Sequence, residues 1–188
     1  MSYYEVLLFL HILAAAIWFG GGFILLVLGA RLSRIRDNDG LESLFRQANF
    51  ISTGVFIPSG LAVFFLGVLM VIEGEWTFGM LWIVLGLVGY AITFVTGLGL
   101  LMPQAKRIAA AIERDGGMTD ESAADTAKLF RHMRIDYAVI GVVIADMALK
   151  PTAEDIAVLV LFAAIIGVVA ASTLLGGRKG PRSAPSMG

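Results

Sequence analysis

The sequence predicts an all-α, polytopic membrane fold, and three observations carry that expectation. Five long apolar runs cross the 188 residues. Apolar residues make up 58% of the chain and the mean hydropathy is +0.85, far above the balance of a soluble domain. Of the 14 Lys and Arg residues, all but Lys150 fall after the first, third and fifth runs. Cytoplasmic loops are the ones enriched in Lys and Arg, so the N-terminus is expected outside and the C-terminus inside.

Taken in order, each run has the length and flanks of a span, which needs about 20 apolar residues. The spans fall at about 6–30, 51–72, 80–102, 132–149 and 156–175. The first begins after Met1-Ser2-Tyr3-Tyr4-Glu5, which has no basic n-region, and is read as a retained helix. Arg31, Arg34, Arg36 and Arg46 follow it on the inner side. A tight outer turn, Glu73 to Thr77, joins spans two and three, and Trp76 and Trp82 stand where an interfacial aromatic belt is expected. The second inner connection, Pro103–Arg134, is charged and broken by Gly116-Gly117 between two helical extensions. The fourth apolar stretch is short and is extended backwards through Leu129-Phe130-Arg131-His132, whose basic groups can snorkel. Residues 1–176 form one transmembrane domain, and the Gly/Pro/Ser-rich 177–188 reads as a disordered cytoplasmic tail.

An internal repeat runs through this pattern. Ala16-Ile17-Trp18-Phe19 aligns with Ala91-Ile92-Thr93-Phe94, followed by Gly22/Gly97, Leu25/Leu100, Leu26/Leu101 and Arg31/Lys106. Leu44-Phe45-Arg46 then recurs as Leu129-Phe130-Arg131. Helices 1–2 are therefore read as a diverged copy of helices 3–4, related about the membrane normal. The expected architecture is a four-helix bundle from a tandem helix pair, with a fifth helix appended.

Cysteine is absent, which removes disulfides, thiolate metal sites and a Cys nucleophile. No P-loop, dinucleotide-binding glycine loop or HExxH appears, and no basic stripe favours nucleic acid. The lipid bilayer is the one partner the composition demands.

Candidate site residues lie within the spans, where an ionisable group is a functional hypothesis by default. His11 sits in the outer half of helix 1, with Ala15, Trp18 and Gly22 on its face. Two readings stand for it: a hydrogen bond to a neighbouring helix, or an axial haem ligand beside a slot cleared by small residues. On helix 4, Asp136 and Asp146 lie about 40° to either side of His132 and Lys150 at 100° per residue, so the stripe is expected to face the bundle interior. Lys150 is placed to neutralise Asp146 across one turn. His132 reads as an interfacial residue. Met70, Met80 and Met147 fall near the outer helix ends, where each is either packing, a partner of His11 on iron, or part of a His/Met set for copper(I).

The helix His11-Ile-Leu-Ala-Ala-Ala-Ile-Trp18-Phe-Gly20-Gly21-Gly22, its basic flank, and Asp146-Met-Ala-Leu-Lys150-Pro151 resemble an uncharacterised bacterial integral-membrane family, domain of unknown function 2269. The resemblance spans about residues 4–176. More distantly, the His–Trp–Gly helix is similar to HemJ-type protoporphyrinogen oxidases and copper-resistance D-type proteins. The HemJ-type likeness implies haem b, with His11 as its ligand. The chain departs from that group in lacking a second intramembrane His and an Arg/Lys cluster for tetrapyrrole carboxylates. The expectation is thus a b-type haem electron-transfer protein of the bacterial cytoplasmic membrane, exchanging electrons with quinone or a membrane partner. In it His11 binds iron, Trp18 and Gly22 shape the pocket, and Asp146 and Lys150 add polar contacts. Copper is the alternative metal. The competing class is a non-redox transporter or assembly subunit with a His/Asp polar site. Whether the chain is an enzyme, and whether it forms a homo-oligomer, the sequence leaves open.

Overall fold

The computed structural model describes residues 2–176, with the side chains of 48, 49 and 174–176 left aside; the tail at 177–188 lies outside the described residues. It is helical throughout. The elements are α1 (Tyr3–Ile35), α2 (Asn38–Ile51), a π-helical turn π1 (Ser52–Phe56), α3 (Ile57–Glu73), α4 (Leu81–Thr96), a second π-helical turn π2 (Gly97–Leu101), α5 (Met102–Asp115), α6 (Asp120–Leu149) and α7 (Ile156–Gly176). Four helical stretches are long and apolar enough to cross a membrane: Tyr3–Ile35, Ser52–Glu73, Leu81–Asp115 and Ile156–Thr173. The 30-residue α6 has the length, but Arg134, Asp136 and Asp146 charge its most apolar stretch.

Helix ends follow local chemistry. Ser2 and Glu5 form a reciprocal capping box at the start of α1, satisfying two of the amide groups a helix N-terminus leaves open. Thr119 and Ser122 do the same for α6. Arg36 and Lys150 stop α1 and α6 in the left-handed conformation. Gly116 and Gly117, with φ of 71° and 155°, make the expected break in the basic connection, where a side chain would be strained.

The basic segment between the first two spans is itself helical: α2 runs through π1 into α3. The physical reason is an i, i+3, i+4 stripe of Leu41, Leu44 and Phe45 among the charges. Leu41 packs with Leu26 and Phe130, and Phe45 with Ile108, Ile112 and Leu129. Together with α5, α2 thickens the basic end of the bundle beyond the five helices the sequence outlined.

The bundle is held by paired glycine sockets, one heptad apart on α1 and α3 and three residues apart on α4. On the α1–α6 seam, Gly22 faces the Tyr137 hydroxyl and Gly29 faces the Phe130 ring, both closer than any Cβ would permit. On the α1–α3 seam, Gly60 lies against Trp18 and Gly67 against His11. On the α4–α6 seam, Gly86 receives Met147 and Gly89 receives Val143. Small residues let membrane helices approach closely, and these three pairs do pack closely. By contrast α3 and α4 hardly meet backbone to backbone. The gap between them is the cleft that positions the site. Helix α7 packs on α6 alone among the closely packed pairs.

Candidate functional site in the α3–α4 cleft

Two cavities occupy the cleft, one towards each end. The first, about 120 Å³, lies near the tryptophan-bearing end and is lined by His11, Trp18, Gly67, Met70, Tyr90 and Met147 among others. The second, about 170 Å³, lies towards the basic end and is lined by Thr93, Asp136, Tyr137 and residues of both π turns. Aromatic rings form the waist between them. Tyr90 stacks on Phe64 and Phe94 and meets Trp18 at 5.7 Å between centroids. Its hydroxyl donates to the Gly60 carbonyl at 3.1 Å, tying α4 to α3.

Three ionisable side chains next to this cleft have covered polar atoms without a hydrogen-bond partner. They are Nδ1 of His11, Oδ1 of Asp136 and both carboxylate oxygens of Asp146. The Val63 backbone lies close to the His11 ring but outside hydrogen-bond geometry. Gly67 holds the imidazole edge: a Cβ there would lie 3.1 Å from His11 Cε1 and 3.5 Å from Nδ1. Asp146 is only 2% exposed, and its Oδ2 points at Gly86, which lines the first cavity. Asp136 is buried with Thr96 beside its carboxyl. An unpaired carboxylate removed from water costs several kcal/mol. Each of these groups therefore needs a proton, a cation, a water or a ligand.

The structure sorts the residues singled out in the sequence. His11, Trp18, Met70 and Met147 share one cavity, and Met80 is not among its lining residues. Gly22 opens no slot, because Tyr137 fills its face. Lys150 does not pair with Asp146. Its ammonium sits 4.1 Å from the Trp76 ring centroid and 5.3 Å from that of Trp82, because the left-handed Lys150 ends α6. His132 bonds Gln104 at 3.1 Å through Nδ1. Sequence reasoning passed over Tyr90, Phe64, Gly67 and Tyr137. Tyr90 had a signal, as the one tyrosine within an apolar helix; the others needed the packing.

Haem can be tested against this geometry. Sites for drug-sized ligands run to roughly 300–1,000 Å³, and a tetrapyrrole belongs in that range. The cavity beside His11 is about 120 Å³. That is below this range with the side chains as they stand. No group of three or more His, Asp or Glu suited to a metal occurs among the described residues.

No curated protein and no solved structure matches the chain. The family described as predicted integral membrane protein (DUF2269) matches residues 5–151. Its match takes in α1 to α6 with the cleft and its three unpartnered groups, and the chain belongs to this family of integral membrane proteins.

Proposed function

We propose that the chain crosses a bacterial cytoplasmic membrane five times, N-terminus outside, and works as a small transporter whose α3–α4 cleft carries protons. The five passes are the four apolar stretches and α6, whose carboxylates point into the bundle rather than to lipid. The orientation is supported by the basic residues gathered at one end of the helices. The fold behind this reading is the tandem helix pair with a fifth helix appended. The Leu-Phe-Arg copies support it: Phe45 packs on α5 of the second pair, and Phe130 packs on α1 of the first.

One observation carries the functional reading. Ionisable side chains with unpartnered polar atoms stand on both sides of the aromatic waist, His11 and Asp146 on one side and Asp136 on the other. A water needs about 10–15 Å³ of such volume, so both cavities have room for several. Protons would pass along water between the imidazole and the carboxyls, with Tyr90 and Trp18 restricting the crossing.

The test is proton flux into proteoliposomes driven by a potassium diffusion potential. Wild-type protein should acidify the lumen faster than empty liposomes, and Asp146→Asn and Asp136→Asn should return to the empty rate. Wild-type flux at the empty rate would sink the reading.

A second reading has its own observation: Met70 and Met147 line the cavity of His11. An imidazole with two thioethers is a soft donor set that suits copper(I). Competition against a copper(I) chelator should then show one ion per chain, lost in His11→Ala. The redox reading, with quinone as partner, would return only if purified protein showed a Soret band that His11→Ala removed.

A further inference from the structure

We propose that Trp76 and Trp82 form a recognition site for organic ammonium cations at the outer mouth of the cleft, held closed by the chain's own Lys150.

The two indoles meet edge to face, 5.2 Å between centroids and at 90°. Such a corner presents a ring face and a ring edge to whatever lies within it. Tyr4 buttresses it from α1 by accepting the Trp76 indole N–H at 3.4 Å. The Lys150 ammonium lies over both rings. A cation within about 6 Å of an indole centroid is attracted by the ring quadrupole, and aromatic corners of this kind are how alkylated ammonium groups are bound. The lysine is thus an internal stand-in for the ligand.

Three further observations give the site a direction. Glu5, Glu73, Glu75, Glu154 and Asp155 all stand at this end of the bundle, and Lys150 is its single Lys or Arg among the described residues. Single-sign fields of this sort concentrate oppositely charged ligands at a mouth. Trp76, Trp82 and Tyr4 also line the first cavity, so the corner opens inward. Beyond it, past Gly86, lies the unpartnered carboxylate of Asp146. A cation that displaced Lys150 would find an aromatic face first and a counter-charge deeper in. Two sources offer this chemistry: a soluble amine, or the ammonium of a phosphatidylethanolamine headgroup at the same level.

The experiment is a titration with tetramethylammonium chloride, read by tryptophan emission, with sodium chloride as the ionic-strength control. It is run on the Trp18→Phe protein, so that the signal comes from the corner alone, in phosphatidylglycerol nanodiscs and again in phosphatidylethanolamine ones. Freeing the corner by Lys150→Gln should tighten binding about fivefold, the weight of one exposed cation–π contact; Lys150→Met should do the same. Trp76→Leu should remove saturation. Saturation in both lipids points to a soluble amine. Saturation in phosphatidylglycerol alone points to the lipid headgroup already in place. No saturable response in Lys150→Gln in phosphatidylglycerol, or affinity no tighter than with Lys150 present, would overturn the proposal. Proton flux is measured separately, so a silent cleft and an empty corner give different results.

Discussion

The α1–α6 seam and the α3–α4 cleft are built from the same materials, glycine and aromatic rings, and come out opposite. In the seam each ring enters a glycine notch on the facing helix: Tyr137 at Gly22, Phe130 at Gly29. The backbones close, and the rings turn only their far sides to the second cavity. In the cleft the rings of Tyr90, Phe64 and Trp18 meet one another. Ring against ring holds two helices apart, and cavities remain above and below the stack. Position, not composition, decides whether an aromatic residue seals a membrane bundle or props it open.

Breaking the seam should have the largest effect. Gly29→Ala drives a Cβ into the Phe130 ring and should cost about 1–3 kcal/mol, the usual range for overpacking. Gly22→Ala should cost a similar amount, but its clash is with the Tyr137 hydroxyl. Tyr137→Phe removes that oxygen, so the double variant should recover part of the loss. Detergent-unfolding midpoints for the four proteins of the cycle check this; strictly additive costs would contradict the socket.

The cleft should respond with the opposite sign. Asp146→Leu replaces an unpartnered buried carboxylate with an apolar group of similar size, and trading even paired buried charges for apolar residues is often neutral or stabilises by about 1–4 kcal/mol. The thermal midpoint should rise while proton flux is lost. A lower midpoint would mean that the carboxylate is structurally satisfied after all.

Gly67→Ala sharpens the comparison at one side chain. The new methyl would press on the His11 imidazole from 3.1 Å, and a few tenths of an ångström of movement relieves it. Stability should change by less than about 1 kcal/mol, while flux or copper(I) affinity falls by more than that implies. Equal losses in both would make His11 a packing residue.

The smallest effect lies in the turn after α6 that holds Lys150 over the cleft. The Thr152 amide and hydroxyl donate to Asp155 at 2.8 and 2.9 Å and hold its carboxyl below the usual carboxylate range. The folded-state value is lowered, so the turn's stabilisation is complete above the ordinary carboxylate range and is lost as pH falls through the lowered value. Asp155→Ala should therefore differ slightly from wild type at neutral pH and match it in strong acid, read by melting curves across that range.

Much of the helical frame could be read from the chain because lipid imposes one rule, that backbone polar groups be satisfied within helices. Apolar length then marks four helical stretches, and Gly116-Gly117 marks a break. Helix α2 was hidden because its apolar stripe is only Leu41, Leu44 and Phe45 among charges. The site was legible in part. An imidazole inside a span announces itself, as do Asp136 and Asp146 on one helical stripe. Lys150 misled for a stereochemical reason: spacing of four implies a pair only while the helix continues, and α6 stops at Lys150 itself. Gly22 misled because a small residue shows where something fits, not what fills it.

The two π-helical turns have a mechanical consequence. Both face the second cavity, and each is a loosened stretch in an otherwise continuous rod. Beyond them α2 and α5 pack on each other through Phe45, Ile108 and Ile112. Two soft joints beside one chamber, with helical handles beyond them, would act as a pair of tweezers pivoting at the middle. Squeezing the handles would spread the jaws, so a load on the basic end would be felt at the aromatic waist. Spin labels at Leu61 and Val88, which are exposed on α3 and α4, should separate when Glu42 and Arg107 are cross-linked.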